Sequence, residues 1–244
     1  MTVDDYIVVD LEMTGLNPRK DRILEIGAVK VKGKRITETF SKLIRPNAAL
    51  NPKLIELTGI TDEEAASGDD LDVAVLQFLE FAEELTWVGH NIIFDYSFIK
   101  QWEINRRIKQ TRYAVDTLKI ARKCLPDLEK KTLDHLCGRY GIERLVRHRA
   151  LEDAAANQEL YEKLEFQFIN HSPDLFVKKE LQYKAKRQTP ATQRQKEWLM
   201  HLSKCYELNT DIPIEQLSRS EASRLMDRLI LQYGKNAVLA GRER

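Results

Sequence analysis

Apolar positions change their period several times along this chain, and each change marks an element. Tyr6-Ile7-Val8-Val9 is a continuous run of aromatic and β-branched residues, the pattern of a strand buried on both faces, and it ends in Asp10. Residues 22–31 and 36–44 are two more strand patterns. Lys32-Gly33-Lys34-Arg35 joins them, a hairpin signal that predicts antiparallel pairing. From Leu71 to Leu85 the apolar residues fall at 71, 75, 76, 78, 79, 82 and 85, a helical stripe. Thr86 to His90 reads as a short strand, followed by a helix from about Phe94 to Arg107. Tyr113-Ala114-Val115 is a last short strand, with Asp116 placed as the N-cap of the next helix. Helices follow near 117–124, 132–140 and 150–170. A meander of strands followed by strands alternating with helices predicts a mixed α/β sheet with helices on its faces.

The long helix stops near Asn170-His171-Ser172-Pro173. Residues 173–188 form a basic connector carrying Lys178, Lys179, Lys184, Lys186 and Arg187. Two capping boxes then announce helices, Thr192 with Gln195 and Ser218 with Glu221. The predicted organisation is a catalytic-sized domain over 1–172, the connector, and a small helical hairpin over 189–244. Trp198, Leu199, Leu202, Tyr206, Leu225, Leu229 and Ile230 would form the core of that hairpin.

Composition narrows the class. Among 244 residues 43% are hydrophobic, enough for a sizeable core, and no stretch approaches a membrane span. Cys124, Cys137 and Cys205 have no CxxC spacing, which argues against a disulfide framework and for a reducing cytoplasm. The acidic start lacks the basic and apolar regions of a signal peptide. The net charge is +1, which excludes a wholly basic nucleic-acid coat protein. Residues 173–244 hold 14 basic and 9 acidic residues, +5, so residues 1–172 carry −4.

Three acidic segments stand out. Asp10 and Glu12 are one residue apart, so a strand puts both carboxylates on one face, where they repel unless a cation or a proton intervenes. Asp95 follows the strand pattern at 86–90 within Gly89-His90-Asn91-Ile92-Ile93-Phe94-Asp95. His148 and Asp153 lie at the start of the long helix. Taken singly, each has a plain reading: solvated loop acids, a first-turn helix acid, a surface histidine.

The three together, DLEMTGL (10–16), GHNIIFDYSFI (89–99) and HRALEDA (148–154), resemble the DEDDh branch of the 3′–5′ exonucleases, relatives of bacterial proofreading subunits and domains. ILEIGAV (23–29), LTGIT (57–61) and VDTLKIAR (115–122) look familial too, and the resemblance covers roughly residues 4–168. It implies an RNase H-like fold with a five-stranded mixed sheet and hydrolysis of phosphodiester bonds at a 3′ end, releasing nucleoside 5′-monophosphates. It also implies two divalent cations, Mg²⁺ or Mn²⁺, held by Asp10, Glu12, Asp95 and Asp153, with His148 as general base. Hard oxygen ligands suit such cations, and imidazole takes up protons near neutral pH.

Met13, Thr14, Gly15 and Leu16 would meet the terminal nucleotide, although Gly15 reads equally well as part of a plain turn. His90, Asn91 and Phe94 would pack on a base or support the site. Arg144, Arg147 and Arg149 flank His148 and are either a solvated face or contacts to phosphate. A basic stretch from Lys100 to Lys123, with eight basic and two acidic residues, is either a solvated face or a path for the incoming strand. The expected partner is the single-stranded or frayed 3′ end of DNA, with a polymerase or other replication or repair protein as a candidate for the C-terminal segment. Two alternatives stand beside this reading: an exoribonuclease trimming RNA ends, and a non-catalytic nucleic-acid-binding adaptor.

Overall fold

The computed structural model describes residues 3–46, 48–144, 146, 148–184, 188–206 and 213–233. The chain divides into two units, one of Met1–Pro46 with Leu50–Ala185 and a second built on Lys186–Arg244.

In the first unit, β1 (Tyr6–Met13), β2 (Ile23–Lys32) and β3 (Arg35–Leu43) form the antiparallel meander. Three helices follow, α1 (Pro52–Thr58), α2 (Asp62–Ala66) and α3 (Leu71–Ala82). Strand β4 (Thr86–Gly89) leads to α4 (Ile93–Asn105), and β5 (Tyr113–Asp116) leads to α5 (Thr117–Cys124). Then come α6 (Leu133–Tyr140), α7 (Ala150–Phe168) and a two-residue strand, β6 (Lys179–Glu180). The sheet order is β3-β2-β1-β4-β5-β6, with β1, β4 and β5 mutually parallel. The sheet therefore has six strands rather than the expected five. The extra strand pairs Lys179 and Glu180 with Ala114 and Tyr113, and two residues are too few to carry a periodic signal.

β1 is buried on both sides, as its unbroken apolar run predicts. Ile7, Val9 and Leu11 face a layer containing Val75, Phe78 and Trp102 of α3 and α4. Tyr6 and Val8 face the opposite layer, with Val29, Val115, Ile120, Leu160 and Tyr161. Helices thus cover both faces of the sheet. Two short helices are absent from the periodicity reading. Their caps are in the sequence all the same: the Asn51 side chain accepts from the Lys53 N–H, and Thr61 accepts from the Glu64 N–H. Helices of seven and five residues span too few turns to reveal a 3.6-residue period.

The second unit contains α8 (Gln193–Cys205) and α9 (Arg219–Tyr233). The Thr192–Gln195 box forms in full, and Ser218 and Glu221 exchange side-chain and backbone hydrogen bonds in the same way. Leu199, Leu202, Leu217, Leu225 and Leu229 make its core. Lys186 and Arg187 of the connector lie outside the described residues. Among the described residues no helix is long and apolar enough to cross a membrane.

One contact places α7 over the sheet. A Cβ built on Gly27 of β2 would lie 2.0 Å from the Ala150 carbonyl carbon and 2.1 Å from the Leu151 nitrogen. The first turn of α7 rests its backbone on the strand there, and only glycine permits it. Gly27→Ala forces helix and strand apart and should cost about 3 kcal/mol or more. A urea midpoint equal to wild type would contradict this contact.

Candidate active site

Strand register assembles the acidic side chains. Asp10 pairs across the sheet with Gly27, and Glu12 pairs with Glu25. All four face the α7 side, because Asp10 and Glu12 continue the alternation of Tyr6 and Val8. Since α7 rests on Gly27, its first turn stands beside Asp10 and delivers Asp153 to the same place. Ligand atoms of Glu12, His148 and Asp153 lie within 4.8 Å of one another. Asp95 arrives from the other layer, in the first turn of α4, at the carboxyl ends of β1 and β4. Its Oδ1 accepts the Leu11 N–H at 3.0 Å, which ties α4 to the strand between the two β1 carboxylates.

Two non-glycine residues in the left-handed region shape the approaches. Asn91, at φ 67°, turns the chain from β4 towards α4 and donates its N–H to Asp116 Oδ1 at 3.1 Å. His148, at φ 57°, turns the chain into α7. Such backbone persists where surrounding contacts over-determine it. Arg147 lies outside the described residues.

The cluster is electrostatically loaded. Burial, followed by the charges of Asp95, Asp153, Glu12 and Glu25, drives the Asp10 carboxyl well above the usual carboxylate range. Burial, followed by Asp153, Glu25 and Asp95, pushes Glu12 up to about 8, with Arg149 offsetting part of the rise. Asp95 is pushed up to about 7 by burial, against the pull of its backbone hydrogen bonds. The nearby arginines are committed beside these groups. Arg144 contacts Asp153 and Asp134, and Arg149 bonds Glu25 and lies 3.2 Å from Glu64.

The residues expected to meet a nucleotide divide into two groups. Thr14 to Leu16 form a tight turn beside the acids. Thr14 exchanges hydrogen bonds with the Arg22 backbone, and any Cβ on Gly15 would strike the Asp21 carboxylate at 2.5 Å. Leu16 is 81% exposed, an apolar side chain held out from that turn. Met13 ends β1 and packs on the core. His90, in contrast, is bound into the scaffold. Its Nδ1 lies 3.0 Å from Thr117 Oγ1 and its Nε2 2.9 Å from the Lys131 carbonyl, and burial lowers its pKa. Phe94 stacks edge-on against Phe98.

Part of the basic stretch is also structural. Lys100 and Arg112 both pair with the fully buried Glu103, and Arg106 pairs with Asp72. Two features beside the site escaped the sequence reading: Glu25, and Asp116 as a partner of Asn91; Arg144, read as a flanking phosphate contact, is instead held by Asp153 and Asp134. A lone acid inside the apolar run of β2 was the available signal for Glu25.

Because the folded state raises these carboxyl pKa values, it binds more protons than the unfolded chain. The metal-free protein therefore has this contribution in full below about pH 4 and loses it as pH rises through 7 to 8. Asp10→Asn removes one of the repelling charges. In chelator-treated protein it should raise the thermal midpoint at pH 8.5 and change it much less at pH 5, by about 2–4 °C for each kcal/mol relieved. A gain of equal size at both pH values would contradict the loading.

The model of the exonuclease family RNase_T matches residues 7–161. The chain is 36% identical over 160 residues to a DNA polymerase III PolC-type protein of Caldanaerobacter subterraneus subsp. tengcongensis; the match spans 66% of this chain and 11% of that protein. It is 35% identical over 160 residues to a DNA polymerase III subunit epsilon of Aquifex aeolicus, covering 65% of this chain and 79% of the relative. Escherichia coli exonuclease I, solved in complex with a dT13 oligonucleotide, shares the fold with a TM-score of 0.61 at 20% identity, over 71% of this chain and 42% of that one. A family match over more than half of the chain, centred on the strand and helices that carry these acids, makes it a member of the RNase_T exonuclease family.

Proposed function

We propose that this chain is a metal-dependent 3′–5′ exonuclease that hydrolyses phosphodiester bonds at DNA 3′ ends and releases nucleoside 5′-monophosphates. One observation carries the reading: Asp10, Glu12, Asp95 and Asp153 converge from three chain segments, and within that cluster Asp10, Glu12 and Asp95 resist ionising together. Such a group fits hard divalent cations, since all its ligands are carboxylate oxygens and its four acids are met by one direct arginine contact, Arg144 on Asp153. When bound, two cations, Mg²⁺ or Mn²⁺, would screen the phosphodiester, activate a water and stabilise the leaving 3′-oxygen.

The chain's own groups do the rest. Asp10 and Glu12 of β1, Asp95 of α4 and Asp153 of α7 would hold the cations. His148 would take the proton from the attacking water, and its place beside Glu12 and Asp153 supports this role. The Thr14–Leu16 turn would present backbone groups and the exposed Leu16 to the terminal nucleotide, with Gly15 keeping the approach open. DNA as substrate is supported by relatives named as DNA polymerase III proteins and by a structural neighbour solved with a DNA oligonucleotide. The same names support a polymerase as partner. The C-terminal unit, beyond the matched residues, would carry that contact.

The test is hydrolysis of matched 3′-labelled DNA and RNA oligonucleotides, in Mg²⁺ and in chelator. Mononucleotide release from DNA in Mg²⁺, and none in chelator, is expected. Faster release from RNA would move the assignment to an exoribonuclease, and release from neither would leave an adaptor. Asp10→Ala should abolish hydrolysis, and His148→Ala should slow it by roughly 10²–10⁴-fold. Full activity in purified Asp10→Ala protein would overturn the metal assignment, and a wild-type rate flat from acid to alkaline pH would overturn His148 as base.

A further inference from the structure

Resting on the nuclease reading above, we propose that Glu25 is a positioning residue that fixes where His148 and Asp153 stand relative to Glu12. Glu25 is 1% exposed in the apolar strand β2, a place where a carboxylate gains nothing by packing. Both of its oxygens are occupied. Oε1 accepts from Arg149 Nε at 3.2 Å and Nη2 at 3.0 Å, and Oε2 accepts from Arg149 Nε at 3.3 Å and from the Ala150 N–H at 2.9 Å. With donors on both oxygens and a guanidinium against it, Glu25 stands outside the set of acids open to a cation.

The donors belong to the two residues that follow His148 and open α7. That helix has no side-chain cap of its own, because Arg149 occupies the capping position and cannot accept a hydrogen bond. Glu25 supplies the missing acceptor from the neighbouring strand, with the negative charge that a helix N-terminus favours. Its cross-strand partner is Glu12. One residue pair of the sheet thus carries a proposed ligand on β1 and the anchor of α7 on β2. His148, in the left-handed region at φ 57°, takes its direction from a flank held by this anchor. Gly27 sets the closeness of α7 to the sheet, and Glu25 sets where along the strand the helix begins.

Glu25→Gln keeps the shape and one acceptor oxygen but loses the charge. Arg149→Gln probes the same pair from a side chain 30% exposed, and decides the matter if the first variant does not fold. Each folded variant should lose between about 10- and 100-fold in kcat on the DNA oligonucleotide, with KM within about threefold of wild type. The double variant should be no slower than the slower single one, and Arg149→Lys should recover part of the loss. The readout independent of activity is the ¹H–¹³C resonance of the His148 ring, assigned by its loss in His148→Ala. Among the five histidines that resonance should move in both variants while the others stay. An unmoved His148 resonance, a wild-type kcat in a folded variant, or additive losses in the double variant would each overturn the proposal. If wild-type protein hydrolyses no nucleic acid, the nuclease reading fails, and the His148 resonance alone then decides the positioning claim.

Discussion

The site depends on one close approach: the backbone of α7 lying on β2 at Gly27. The placement of the α7 side chains follows from that contact. Gly27 is the cross-strand partner of Asp10, so a helix seated there must deliver its first turn to the side of the strand where Asp10 and Glu12 project. Asp153 and His148 come with it. From the other layer, Asp95 is fixed by accepting the N–H of Leu11, the residue between the two β1 acids. Backbone contact at Gly27 and the Leu11 N–H bond to Asp95 bring these segments together.

That closeness has an electrostatic consequence. Acids free to move would separate; Asp10, Glu12 and Asp95 are held close and hold protons to pH values where surface acids are fully ionised. The scaffold spends stability on a cluster that only an added positive charge relieves, the usual conflict between a preorganised site and the fold that carries it. The arginines close by leave the conflict in place. Arg149 neutralises Glu25, and Arg144 bridges Asp153 to Asp134. Their charge organises the rim; Arg149 offsets part of the rise at Glu12, and the Asp10 carboxyl stays well above the usual range.

Local rules made much of this legible. The unbroken run Tyr6–Val9 announced a strand buried on both faces, the Lys32–Arg35 turn announced the antiparallel hairpin, and Asp116, Thr192 and Ser218 announced helix starts. Period two put Asp10 and Glu12 on one face, and three motifs in order pointed to Asp95, His148 and Asp153. What stayed hidden needed contacts between distant residues. Glu25 and Arg149 are 124 positions apart, and nothing local in either segment names the other. Lys100 and Arg112 looked like part of a basic face until the fold placed Glu103 between them. His90 sat inside a familial string, yet the structure occupies both ring nitrogens in holding α5 and the Lys131 loop. The sixth strand and the two short helices were too brief for any period to show.

The central claim is that this carboxylate cluster is a cation site kept under strain by the fold. Calorimetric titration of chelator-stripped protein with Mn²⁺ at pH 7.5, in buffers of different ionisation enthalpy, tests it most directly. Wild type should bind Mn²⁺ saturably and release protons as it does so, because ligands that held protons must give them up. Asp10→Asn should lose the saturable binding while remaining folded. Equal binding by the two proteins, or binding without proton release in wild type, would contradict the account.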